Sequence, residues 1–470
     1  MDTGRVLPRW TVWLLVGLLA STLGACGGSS AGTGSTASTG GTGSTGGTGS
    51  TGGSGEVFYP VGGTLGGLAT GQTVGLLDNG SDALALSADG VFRFARQVPA
   101  GGSYAVTVAS QPGGQWCMVG SGAGSSLQAA VSDVAVGCVM LHVYAIDRGD
   151  GVVSQFVAAS DGSLDALTPS GVATAVSNDR IAIDPTGRHV YIPDTAAGTV
   201  LQYTVGANGA LAPMSPSSVP VGGNPLAIAV DPAAGYVYVT NTASATISEL
   251  RIGSGGALAS TSTGTAATGN DPRAIAIDPG GRHAYVVDTG ANAVSQYTIG
   301  SGGALMPMRP ASVPTGTQPE DITMAPAGNA VYVANSGDGT LSQYLVGSGG
   351  GLLEMSPAIV VAGTNPWRLG VDGPGRHLYV LDQNGANSTI SEYAIGSSGA
   401  LAALSPASVA TGAEPYGIAI DPGGRYAYVS SAASTGELYQ YRIEADGQLA
   451  PMPMPSARAG TAPTGLVIAP

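Results

Sequence analysis

The sequence predicts an all-β chain: a seven-bladed β-propeller preceded by a small β-sandwich domain. Three observations carry that prediction. From residue 140 a unit recurs, marked by Tyr144, Tyr191, Tyr238, Tyr285, Tyr332, Tyr379 and Tyr428 at intervals of 47, 47, 47, 47, 47 and 49 residues. Each unit holds four short apolar segments separated by glycine-rich turns, the pattern of one propeller blade. The first unit, opening at LHVYAID (141–147), lacks one segment, and the chain ends in that segment, PTGLVIAP (463–470). The last residues are therefore expected to complete the first blade and close the ring.

Ahead of the repeats, residues 1–25 read as a lipoprotein signal peptide. Arg5 and Arg9 flank the start of WTVWLLVGLLA (10–20), an apolar stretch too short to span a bilayer with ease. It leads into LGAC (23–26), which resembles the lipobox of bacterial lipoproteins. The resemblance implies acylation of Cys26, a membrane partner and an extracytoplasmic place for the chain. Gly27 in the next position implies the outer membrane where a cell has two. Residues 26–55 are the lipidated cysteine and a tether that is almost wholly Gly, Ser and Thr. Such a segment buries no core, and its root-mean-square reach is about 30 Å.

Residues 56–139 alternate apolar segments with turn residues, as in FRF, AVTVA and GGQWCMV. Period-2 alternation with frequent turns reads as a small antiparallel sandwich. It resembles the immunoglobulin-like modules of secreted bacterial proteins. With Cys26 assigned to lipid, Cys117 and Cys138 remain as an even pair for a disulfide. Such a bridge closes a loop of about 22 residues, for roughly 3 kcal/mol on the chain-entropy model. DNGSD (78–82) lacks the spaced acidic ligands of a calcium loop and reads as a hairpin turn.

Residues 140–470 are read as the propeller. In a typical unit an I-A-I-D-P segment leads through a turn to V-Y-V ending in Asp or Asn. A T-[VIL]-S-[QE]-Y segment follows, then G-S-G-G-A-L, then a proline-rich strand such as PMSPSSVPVG. The first segment mixes Ile and Val with Ala, as suits strands packed on both faces near an axis. Proline in the fourth segment suits an outer edge, where its missing N–H is not needed and discourages edge-to-edge pairing. YVTN stands at 238–241, with YVAN at 332–335 and YVVD at 285–288. On these residues the region resembles the YVTN-repeat, lactonase-like seven-bladed propellers. That implies the fold; activity is a separate question, because one fold hosts many functions.

Composition excludes some functions. The formal net charge is −14 and no lysine is present. There is no Schiff-base lysine and no phosphate-loop lysine, and an acidic chain is a poor nucleic-acid binder. No cofactor or metal is expected, and the chain is read as a monomer.

The repeat itself separates scaffold from candidate site: a residue type recurring in one slot is read as scaffold. His142, His189, His283 and His377 all stand two residues before the blade tyrosine, so they cannot converge on one metal. The DP-turn aspartates, such as Asp184, Asp278 and Asp372, read as turn caps, as do Asp147, Asn241, Asp288 and Asp382 at the end of the second segment. Arg148-Gly149-Asp150 reads as an ordinary turn. One slot varies. Just before the first strand the chain usually runs x-Pro-z, and z is Asp179, Leu226, Arg273, Glu320, Trp367, Tyr416 and Thr464 in turn. The next slot adds Arg180, Asp321 and Arg368. Arg273, Glu320, Asp321, Trp367, Arg368, Glu414 and Tyr416 are expected to form an arc at the mouth of the channel. The longer loop 382–393 is expected beside it.

Arginines, carboxylates and two aromatics suit a polar ligand with a flat face, such as a carbohydrate. The first expectation is a membrane-anchored binding module for a small polar ligand or an envelope protein. A lactonase-like hydrolase acting on a sugar lactone is the alternative, with Arg273, Glu320, Asp321 and Arg368 as its catalytic candidates. No histidine lies outside the repeat slot, and no GxSxG elbow is present. A purely architectural envelope protein, its mouth closed by interblade ion pairs, is the third.

Overall fold

The computed structural model describes residues 56–175, 179–233 and 235–469. The signal peptide, Cys26 and the tether lie outside the described residues. Within the described residues the structure is strands and turns, with helical turns only at Thr289–Ala291 and Gly385–Asn387.

Residues 58–140 form two four-stranded sheets. The alternating segments bury one face each, and Val61, Val74, Leu76, Phe92, Phe94 and Val134 share one core between the sheets. One pairing departs from the antiparallel expectation: Phe58–Gly66 runs parallel to Val131–Met140. Cys117 and Cys138 stand opposite each other on neighbouring antiparallel strands, and their sulfurs are bonded. DNGSD is a hairpin turn: Asn79 and Gly80 take φ of 48° and 65°, and Asp78 Oδ1 accepts the Ala105 N–H at 2.9 Å.

Seven further four-stranded sheets follow, one per repeat unit. In six, the four strands are consecutive; in the first, Pro463–Ala469 pairs antiparallel with His142–Asp147 as the inner strand. The ring is closed by the chain's own end.

The repeat residues are the bonds between blades. Each blade tyrosine is almost wholly buried and donates its hydroxyl to a glycine carbonyl of the next blade. Tyr144 reaches Gly209 at 2.6 Å and Tyr285 reaches Gly350 at 2.5 Å. Tyr428, in the last blade, reaches Gly162 in the first at 2.7 Å. The acceptor glycines hold φ between 80° and 90°, which favours glycine. A Cβ at Gly350 would also lie 2.3 Å from the His283 ring. The recurrent histidine is therefore a packing residue, and in His189, His283 and His377 the Nδ1 is held by the DP-turn aspartate, at 2.9 Å for His377 and Asp372. The second-strand Asp or Asn does more than cap a turn. In five blades it bonds the third-strand serine, as Asp288 does with Ser295 at 2.6 Å.

A second bond crosses each blade boundary. The Gln or Glu of the third strand accepts a leucine N–H from the next blade, from Gln155 and Leu211 round to Gln440 and Leu164. In five blades the glutamine amide also donates to an outer-strand carbonyl of its own blade, usually that of the recurrent proline, as Gln343 does to Pro357 at 2.7 Å. These prolines sit where the outer strand's register shifts, so they serve this contact as well as the edge.

Glu249 and Glu392 replace that glutamine in two blades. Glu249 takes the Thr261 and Thr263 hydroxyls instead, in the blade whose outer strand lacks the proline. Glu392 faces the usual proline-bearing strand with no amide to offer it, and accepts only Leu449 N–H at 2.8 Å. Burial raises its pKa to about 7, with the charge of Asp446 adding to the effect and the Leu449 N–H opposing it. Well below pH 4 the group is protonated in both folded and unfolded chains. As pH rises toward 7 the unfolded chain loses the proton first, so Glu392 lowers stability across that interval and no further above it. Glu392→Gln is expected to stabilise the chain by about 1–3 kcal/mol at pH 8 and by little at pH 4. Urea denaturation of both proteins at the two pH values checks this; the same difference at both would contradict it.

Candidate functional site

The variable slot is built by a local irregularity that every complete inner strand repeats. The x residue of x-Pro-z is left-handed: Asn224, Asp271, Gln318, Asn365, Glu414 and Ala462 all have φ of 50–54°. Its carbonyl accepts the N–H that follows the second strand, as Glu414 accepts from Ala432 at 2.8 Å. After the proline, the register with the second strand shifts across z, between Pro272 and Ala274 or between Pro366 and Arg368. The z residue is thus the extra residue of a β-bulge, a device that re-aims a side chain. The ladder constrains its backbone, and its side chain is free to vary between blades.

The expected arc resolves into two clusters. In one, Arg273 bonds Asp271 at 3.0 Å and Glu320 at 3.2 Å. Burial raises the Glu320 pKa, and Arg273 and Arg368 oppose the rise without cancelling it. In the other, Trp367 and Tyr416 meet edge to face with centroids 5.8 Å apart. The Arg368 guanidinium lies 4.6 Å from the Trp367 ring centre and 5.2 Å from that of Tyr416, a cation–π arrangement.

The slot after z faces the axis. Asp321 is buried there; its Oδ1 accepts Arg180 Nη2 at 3.0 Å and its Oδ2 accepts Leu369 N–H at 3.0 Å. Arg180 and Asp321 belong to blades three apart, so this pair spans the neck of the channel. Beside it is a cavity of about 90 Å³ lined by Arg180, Asp321, Arg368, Tyr416, Gly417 and Gly465, among others. Burial lowers the Arg368 pKa to about 10, helped by Arg180 and opposed by Asp321. The guanidinium is still cationic at neutral pH.

Glu414 does not join either cluster. It occupies the left-handed x position, its side chain is exposed, and its part is the backbone turn. Arg180 is the residue that the sequence arc omitted. It was visible in the slot after z, but an arc of four successive blades does not reach across an axis. The loop 382–393 does touch this region: Gln383 Nε2 donates to the Pro415 carbonyl at 2.8 Å. Thr195 makes the same bond to Pro225 at 2.8 Å without any added residues, so the extra length is not what makes the contact. Among the described residues no cluster of His, Cys, Asp and Glu suits a metal ion.

Fold and mouth together define a seven-bladed propeller with a charged, aromatic-flanked neck. The family model described as "Lactonase, 7-bladed beta-propeller" matches residues 82–367 and 355–464, and the chain belongs to that family. No curated protein matches the sequence. Among solved structures, a putative 6-phosphogluconolactonase from Bacteroides fragilis is similar, with a TM-score of 0.62 and 17% identity over 70% of this chain and 98% of that one. The periplasmic gluconolactonase of Pseudomonas aeruginosa gives 0.59 and 18% over 70% and 99%. At such identities the likeness is one of fold.

Proposed function

We propose that the propeller mouth binds a small polar ligand of the sugar-acid or sugar-lactone class. The observation that supports this most is Arg368. It is buried, stacked on two aromatic rings, and has no carboxylate within 4.0 Å among the described residues. A buried guanidinium without an anionic partner is costly, and a ligand bringing a negative or strongly polarised oxygen relieves that cost. Trp367 and Tyr416 offer an apolar ring face beside it.

A second reading, hydrolysis of the lactone ring, is favoured by family membership and by Glu320. A buried carboxylate with a raised pKa is suited to general-base work. On this reading Glu320 takes a proton from water as the water oxygen bonds to the lactone carbonyl carbon. Arg368 faces the oxygen that gains charge. The ring C–O bond then breaks and the proton passes to the departing alkoxide. We further propose that the chain is lipid-anchored at Cys26 outside the cytoplasm, as its lipobox resemblance implies.

The activity test compares the full-length chain with an Arg273→Ala/Glu320→Ala double variant on sugar and aliphatic lactones, after subtracting spontaneous hydrolysis. Hydrolysis is expected only if Glu320 acts as base, and the folded double variant then loses it by about 100-fold or more. Background rates for both proteins would remove the hydrolase reading and leave binding. For the anchor, Cys26→Ser is expected to abolish incorporation of labelled palmitate; retained label would refute lipidation at this residue.

A further inference from the structure

We infer that the cavity at the neck is an oxoanion pocket, in which Arg180 and Arg368 together take a carboxylate or phosphate group. The inference rests on the mouth being a ligand site and specifies which end of the ligand enters it.

The unmet polar groups around the neck are all donors. Arg180 Nε and Trp367 Nε1 are buried without a hydrogen-bond partner. Arg368 spends one Nη1 bond, at 3.0 Å, on the Trp367 carbonyl and has no carboxylate partner. The acceptors, by contrast, are committed. Asp321 gives one oxygen to Arg180 and the other to the Leu369 N–H, Glu320 is engaged by Arg273, and Asp179 by Arg148 and the Tyr416 hydroxyl. A lining with spare donors and no spare acceptors does not suit a cation. It suits a group rich in lone pairs, and a planar guanidinium binds oxoanions with two parallel bonds.

Arg180 and Arg368 border one cavity and repel each other, with Asp179 and Asp321 lining it beside them. Asp179 Oδ1 is turned to Arg148 at 3.2 Å.

The cavity, of about 90 Å³, has room for a small oxoanion. The equivalent slot in the last and first blades is glycine, which lets the neighbouring inner strands approach closely beside the cavity. A Cβ at Gly417 would lie 2.5 Å from the Thr464 carbonyl, and one at Gly465 would lie 3.0 Å from that of Asp179. In this arrangement the anionic substituent enters the neck while the body of the ligand stays at the mouth, against Trp367 and Tyr416.

The test is calorimetric titration of the full-length chain with inorganic phosphate, sulfate, gluconate and neutral gluconolactone, with Trp367 fluorescence as a second readout. Saturable one-to-one binding of the anions is expected. Arg368→Gln and, separately, Arg180→Gln are expected to weaken it about tenfold or more. Should an arginine variant misfold, competition between phosphate and gluconate on the unmodified chain keeps the test open: one shared site is expected, and independent binding of the two would overturn the pocket. Preference for gluconate over phosphate and sulfate would mark the group as a ligand's own carboxylate; equal binding would mark the site as one for free oxoanions. Both outcomes support the pocket. Lactone binding without anion binding would overturn the pocket and leave the mouth reading intact. Binding of none of the four would overturn both, and anion binding unchanged in folded Arg368→Gln and Arg180→Gln would overturn the pocket alone.

Discussion

A tyrosine hydroxyl bonded to a glycine carbonyl one blade away is the contact on which the rest of this molecule depends. Isolated, a blade is a twisted four-stranded sheet with two apolar faces and no means of fixing its angle to a neighbour. The buried tyrosine fixes it, because its hydroxyl must find an acceptor on leaving water. The acceptor carbonyl is presented by a glycine whose left-handed turn leaves no room for a Cβ. The third-strand glutamine adds a second bond across the same boundary. Seven repetitions close the circle, and the last blade bonds the first through Tyr428 and Gly162 and through Gln440 and Leu164.

That scaffold explains why the mouth can be chemically irregular. The ladder, the left-handed x residue and the proline hold each inner strand, and the bulge at z is left to carry whatever side chain function requires. Arg273, Glu320, Trp367 and Tyr416 use this freedom, while the slot behind them places Arg180, Asp321 and Arg368 on the axis. The sandwich is fastened to the same ring. Arg425, which occupies the slot of the largely exposed Arg282, turns to the Gln111 and Pro112 carbonyls at 3.0 and 2.6 Å.

The fold was legible because each repeat repeats its reasons. The tyrosine spacing, the strand order and the closing segment 463–470 all follow from contacts that recur in every blade. Cys117 and Cys138 were legible by elimination, and the recurrent histidines by their common slot. What escaped was geometry without a period. Nothing local distinguishes a parallel pairing of Phe58–Gly66 from an antiparallel one. Glu414 is adjacent in sequence to the mouth residues, yet its left-handed backbone turns its side chain to solvent. Arg180 meets Asp321 only because blades three apart face each other across the axis, which no sequence spacing records.

Native-state hydrogen exchange tests the closed ring most directly. The amides of Leu164, Leu211, Leu258, Leu305, Leu352, Leu401 and Leu449 each donate across a blade boundary. In a ring held by these bonds no boundary opens alone, so all seven should exchange only through global unfolding, with one common free energy. Faster exchange at Leu164, the boundary between last and first blades, would contradict closure. Seven unequal values would mean that the blades open independently.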